Sequence, residues 1–180
     1  MVRGMADGTA REVTVRRAVP ADAAAMGDVH IRAWRWAYAG LFDPSLFARR
    51  TTAGATAMWE RVLAEGAAGV FVAERDGAVV GFAGCGASRD EDAASAGELF
   101  VIYIDPEAYR TGVGSALMAR VLEELVAAGH HEAIVWVLQG NERGRAFYER
   151  WGWRPDGATK EEPNGDAPPL VDVRYRRRLP

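Results

Sequence analysis

The chain reads as an α/β protein, a single domain with a mixed, mostly antiparallel sheet flanked by helices, and three observations predict it. Two short apolar runs, Val70 to Ala73 and Val79 to Phe82, flank Asp76-Gly77, a pattern for a tight antiparallel hairpin. A nearly continuous apolar run from Glu98 to Ile104 leads through a glycine loop into an amphipathic helix. The rest of the chain alternates strand-like and helix-like patterns, which calls for a sheet covered by helices.

The elements follow in order. Residues 1–11 are small and polar without a period and are expected to be a flexible tail; residues 12–180 form the domain. Glu12 to Arg17 alternates as a strand does, and Pro20-Ala21-Asp22 starts an Ala-rich helix that runs to Tyr38. Gly40 and Pro44 break that pattern. Met58, Trp59, Val62 and Leu63 share one face of a helix over Thr56 to Glu65. After the hairpin, a polar loop from Ser88 to Ala96 precedes the Glu98 strand, which ends at Asp105-Pro106. Val113, Leu117, Met118, Val121, Leu122 and Leu125 recur at helical spacing, with Gly129 as the stop. Ile134 to Leu138 is a buried strand, Asn141 to Trp151 a short helix closed by Gly152, and Val171 to Tyr175 a last strand. Ala158 to Pro169, with three prolines and a glycine, reads as a loop between the last two strands.

A chain of 180 residues buries roughly 70% of its unfolded surface, so it needs no metal or disulfide staple. The single cysteine, Cys85, excludes an internal disulfide and fits a reducing, cytoplasmic setting. The net charge of −3, from 22 basic and 25 acidic residues, is far from that of a dedicated nucleic-acid binder. No apolar run reaches the roughly 20 residues of a membrane span. His30, His130 and His131 lack metal-ligand spacing, so no metal is expected.

Two motifs carry chemistry. Arg110-Thr111-Gly112-Val113-Gly114-Ser115 lies between a buried strand and a helix, where glycines let backbone N–H groups approach an anion and the helix N-terminus attracts it; a plain tight turn would look the same. The loop fails the dinucleotide pattern, since Leu117 stands at the third glycine position, and it lacks the Gly-Lys-Ser/Thr of a phosphate-binding loop. Asn141 and the run Phe147-Tyr148-Glu149-Arg150-Trp151-Gly152-Trp153 form the second motif, which alone fits an Asn cap with an aromatic core face.

Together, in this order and at this separation, the two motifs resemble those of the GCN5-related N-acetyltransferase (GNAT) family, from about Val13 to Leu179. One departure is visible: Tyr109 stands where the family loop has Gln or Arg, and the arginine follows one residue later. The resemblance implies acetyl-CoA as co-substrate and an amine as acceptor, without metal, nucleic acid or membrane, in a sheet splayed around the Glu98 strand; dimers are common in such proteins. It implies that the strand Ile102-Tyr103-Ile104 pairs its backbone with the pantetheine arm, that Arg110, Thr111, Gly112, Val113, Gly114 and Ser115 hold the pyrophosphate, and that Asn141 joins the cofactor site. Tyr148 resembles the general acid for the departing thiolate and also contacts the cofactor. A bulge near Ile104 is expected to free an N–H for the oxyanion. Glu98 is the candidate base, with a solvated strand-end glutamate as its alternative. The position that holds a glutamate in the protein N-terminal acetylating branch is Trp136. Trp34 and Tyr38 are the expected acceptor contacts, and Arg89-Asp90-Glu91-Asp92 could draw in a cationic amine. Transfer to a small-molecule amine leads; a protein lysine acetyltransferase and a non-catalytic acyl-CoA-binding module are the alternatives.

Overall fold

A computed structural model describes residues 12–66 and 69–180; the expected tail, 1–11, lies outside the described residues. One seven-stranded sheet runs β1 (Thr14–Arg17), β2 (Val70–Arg75), β3 (Ala78–Ala87), β4 (Gly97–Ile104), β5 (Glu132–Leu138), then β7 (Ala167–Arg178) and β6 (Arg154–Asn164) at the edge. Only β4 and β5 pair in parallel; the other neighbours are antiparallel, so the sheet is mixed and mostly antiparallel as its pattern predicts.

Helices α1 (Ala23–Tyr38) and α3 (Thr52–Ala64) cover one face, and α4 (Val113–Ala127) and α5 (Glu142–Arg150) the other, with α2 (Pro44–Arg49) between α1 and α3. Strand alternation feeds two cores. Phe71, Ala73, Ala83 and Leu99 meet Val113, Leu117 and Val121 of α4, whereas Val70, Val72 and Phe82 meet Met26, Val29, Trp59 and Leu63 of α1 and α3. Helices α1 and α3 cross closely because residue 27 is glycine: a Cβ there would lie 2.3 Å from Thr56 Oγ1. Among the described residues no helix is long and apolar enough to cross a membrane, and no His, Cys, Asp and Glu group is placed to hold a metal.

Three expectations need correction. The segment Ala158 to Pro169 is no loop: most of it belongs to β6 and β7, joined at a tight turn where Asn164 pairs with Ala167. Pro163 and the neighbouring Gly157 are tolerated because β6 is an exposed edge strand with register breaks at residues 155–159 and 162–164, and Pro168 and Pro169 fall at the start of β7, before its pairing with β5 begins at Asp172. Pro44 starts α2 rather than only breaking α1, since Asp43 caps Ser45 N–H at 2.8 Å and proline suits the first helical position. Helix α3 begins at Thr52, capped by Thr51, because its first turn carries no apolar periodicity to read.

Candidate active site

The parallel pair is short. Gly97 to Leu99 of β4 pair with Ala133 to Val135 of β5, and beyond that point the strands part. A cleft of about 240 Å³ opens between them, lined by β4 from Phe100 to Ile104, by Trp136 and Val137 of β5, and by residues of α1, α4 and α5. A bulge controls what β4 presents there. Cys85 of β3 pairs with Leu99 and the adjacent Gly84 with Val101, so Phe100 is an extra residue. Leu99 and Val101 therefore enter cores on opposite faces although two residues apart. The bulge lies four residues before Ile104, earlier than expected. Asp105 N–H donates to Val80 O at 2.9 Å, which fixes the alternation: Tyr103 and Val101 turn their backbone groups to β3, while Ile102 and Ile104 turn theirs into the cleft. The Tyr103 side chain leaves on the α1 face and stacks on His30 at 4.6 Å.

The strand edge runs toward the start of α4. Arg110 and Gly112 both take positive φ, 62° and 91°, a conformation that suits Gly112 and turns the chain sharply into the helix. No side chain caps α4, so its first-turn N–H groups face the cleft mouth beside Gly112, Gly114 and Ser115. Gly114 admits a close neighbour there: a Cβ would stand 3.4 Å from Ile104 Cδ1 and from Phe147 Cε2. Thr111 is turned away from the cleft, its hydroxyl donating to Ala108 O at 2.7 Å and accepting from Arg75 at 3.0 Å. Val113 contributes backbone only, since its side chain is core. Arg110, Tyr109, Trp36 and Arg143 crown the mouth, with Trp36 and Tyr109 rings 4.8 Å apart and the Arg143 guanidinium 4.3 Å above Trp36. Trp36 belongs to the aromatic group of the first helix that the resemblance places near the acceptor, and Tyr109 is the departure in the loop; the role of Arg143 has no signal in the sequence, because only the fold brings these three segments together.

Opposite β4, α5 brings Tyr148 to the cleft. Its ring is 7% exposed and tilted against Phe147, Trp153 and Tyr175, and burial, with Tyr38 nearby, pushes its phenol well above the ordinary range. Tyr148 thus stays a neutral hydrogen-bond donor across physiological pH. Asn141 lines the cleft and also caps α5, its Oδ1 accepting from Gly144 N–H at 3.0 Å. Its side chain hydrogen-bonds the Tyr38 phenol, which partly offsets the rise that burial causes there.

On the acceptor side the structure corrects four expectations. Glu98 is neither a free base nor a solvated strand end: it is 2% exposed and accepts from Arg89 through the backbone N–H at 3.0 Å and the guanidinium, outside the cleft lining. Trp34 is core, 3% exposed among Phe42, Phe47 and Arg50, whereas Tyr38 lines the cleft. Asp90 and Asp92 are not open to a cationic amine, because buried Arg174 of β7 binds both and Asp156 as well, at 2.7–2.9 Å. Trp136 is not merely a missing glutamate. Its indole N–H donates to Asp90 at 2.9 Å, which fixes the ring in the cleft wall. Two other noncatalytic groups behave as core: His30 accepts from Trp59 N–H at 3.2 Å and is pushed down to about 4 mainly by burial, and Cys85 is pushed up to about 12.

A helix-covered sheet that opens at its one parallel pair, with a free strand edge leading to an uncapped helix start, defines an acetyltransferase class of fold. The chain belongs to the acetyltransferase (GNAT) family, whose pattern matches residues 30–153. The uncharacterized N-acetyltransferase YuaI of Bacillus subtilis is 34% identical over 130 residues, 72% of this chain and 73% of that one. A mycothiol acetyltransferase of Acidimicrobium ferrooxidans is 36% identical over 92 residues, 49% of this chain but 29% of its own. Among solved structures, the PaiA N-acetyltransferase of Thermoplasma acidophilum in complex with coenzyme A superposes with a TM-score of 0.73 at 18% identity, covering 93% of this chain and 99% of that one. YncA of Salmonella typhimurium with acetyl-CoA gives 0.70 at 22%, covering 93% and 94%.

Proposed function

We propose that the protein transfers the acetyl group of acetyl-CoA to a primary amine of a small molecule by direct attack of the amine on the thioester. One observation carries the reading: the unpaired edge of β4 at Ile102 and Ile104 leads to the uncapped start of α4, with Tyr148 across the cleft. Pantetheine has two amides that extend the sheet as a partner strand would, and the pyrophosphate is matched by first-turn N–H groups at residues 112–115, with Arg110 and Arg143 near the mouth. Backbone N–H groups on the same edge are suited to the oxyanion formed as the neutral amine nitrogen bonds to the carbonyl carbon, and the nitrogen gives up its surplus proton to water as the intermediate collapses. The C–S bond then breaks, and the Tyr148 hydroxyl donates to the departing thiolate. Its raised pKa favours stabilising the thiolate by a hydrogen bond over complete proton release.

Small acceptors are favoured by the closure of the acceptor side. Asn164, at the β6–β7 turn, accepts from Asp43 N–H at 2.9 Å and donates to Leu41 O at 3.2 Å, strapping the turn onto the loop after α1. Thiol release from acetyl-CoA across small primary amines and lysine peptides tests the reading. Turnover confined to small amines is expected. Preference for peptides would favour the lysine-acetylating alternative, and acetyl-CoA binding without turnover on either would favour the non-catalytic module.

A further inference from the structure

The chain contains a single lysine, Lys160, among 22 basic residues. It stands on β6, and its ammonium lies 4.6 Å from the centre of the Trp136 ring and 3.9 Å from Asp172 Oδ2. The sheet register places the three together. Lys160 is directly opposite Asp172, and Asp172 is two residues from Arg174, the partner of Trp136, so all three share the face toward α1. Trp136 lines the cleft.

Asp172 differs from the other carboxylates of this wall. Glu98 is bonded by Arg89, and Asp90, Asp92 and Asp156 by Arg174, all at hydrogen-bond distance. Asp172 has a cation only at 3.9 Å, beyond hydrogen-bond reach. It is half-buried, and burial raises its carboxyl above the usual range, with Lys160 of β6 opposing, Glu162 of β6 adding, and Tyr38 of α1 within reach of its charge. The carboxylate is therefore under-compensated and gains from a closer cation. The Lys160 ammonium already lies between this carboxylate and the indole face, a setting that a primary alkylammonium fills well.

We propose that Trp136 and Asp172 form the ammonium subsite of the amine acceptor, and that Lys160 is a resident cation which the acceptor displaces. This rests on the acetyl-transfer reading and narrows its substrate class to amines that dock as ammonium cations and lose that proton to water before the nitrogen attacks. Displacement is easy because the Lys160 side chain is 44% exposed on an edge strand, and its loose ion pair and its contact with the indole are both replaced by those of the incoming ammonium. The indole stays in place, since Asp90 holds its N–H.

The lone lysine supplies its own probe. Reductive methylation with 13C-formaldehyde labels Lys160 as a single side-chain signal, distinct from the α-amine. Titration of the coenzyme A complex with phenethylamine, a cation at pH 7.5, should move that signal, whereas aniline, neutral at that pH, should not. In thiol-release assays, Asp172→Asn should raise the phenethylamine KM at least about tenfold with the acetyl-CoA KM unchanged. Lys160→Gln should lower the phenethylamine KM about threefold, a gain that a purely structural role for the pair would not produce. An unmoved Lys160 signal at saturating phenethylamine, or turnover with the same amine KM in both variants, overturns the subsite and leaves acetyl transfer standing. A Lys160 signal displaced by phenethylamine in a protein that acetylates no amine keeps the subsite and overturns the transfer reading.

Discussion

The two walls of the cleft are made of different materials. The wall proposed for the thioester is mostly main chain: the Ile102 and Ile104 edge of β4 and the first turn of α4. The wall proposed for the acceptor is side chain throughout, with Tyr38 from α1 and Trp136 from β5 lining the cleft, Trp136 held through Asp90 by Arg174, and Asp172 of β7 on the same face of the sheet. A main-chain site needs glycine and strand geometry, which are local in sequence. A side-chain site needs residues far apart in sequence and a register that aligns them.

Mutations should separate the walls. The largest effect is expected from Tyr148→Phe, which keeps the ring and its packing and removes the donor. Turnover should fall roughly 10²–10⁴-fold while melting temperature and acetyl-CoA affinity hold. A near-native rate, with chemistry shown to be limiting, would return Tyr148 to a packing role. Next, Gly114→Val should weaken acetyl-CoA binding by about 100-fold in calorimetry. The Cβ itself fits at 3.4 Å from Ile104 and Phe147, but the added methyls crowd the first turn of α4 where an anion must approach. Unchanged affinity would make that turn structural only.

Arg174→Met probes the other wall. It leaves Asp90 and Asp92 without their shared cation and Asp156 with Arg176 alone, so we expect about 2–3 kcal/mol of stability lost, a fall of several degrees in melting temperature. The amine KM should rise because Trp136 loses the support behind Asp90, while acetyl-CoA affinity holds; equal damage to both affinities would mean that the walls are not separable. The smallest effect concerns His30. Its folded pKa of about 4 lies below the ordinary histidine value of 6.5, so between these values the unfolded chain binds a proton that the folded chain does not. Stability contributed by neutral His30 is complete above pH 6.5 and is lost as pH falls toward 4, by about 1–2 kcal/mol after allowance for partial exposure. His30→Gln should flatten the fall in melting temperature between pH 6.5 and 5; an unaltered slope would assign that fall to other groups.

The same division explains what the sequence revealed. The β4 strand, the glycine loop and Tyr148 could be read because each is a local pattern: an apolar run, two glycines before a helical period, and an aromatic pair before Gly152. Strand β6 could not, since an exposed edge strand buries almost no side chain and so carries no alternation, while its prolines imitate a loop. Glu98 looked like a free carboxylate because nothing local announces Arg89 folding back nine residues to bind it. Asp172 and Trp136 meet only through the pairing of β5 with β7, a contact across more than 30 residues of chain.

The extra residue at Phe100 makes β4 sensitive to length as well as composition. Removing Phe100 would leave the strand equally apolar and join Leu99 and Val101 in an unbroken ladder with Cys85 and Gly84, so Ile102, Tyr103 and Ile104 would keep their sides; what the strand would lose is the local bend and extra twist of the bulge, just where it parts from β5. A strand of this kind tolerates substitution and punishes deletion, so the distance from Gly97 to Gly112, counted in residues, is itself part of the site.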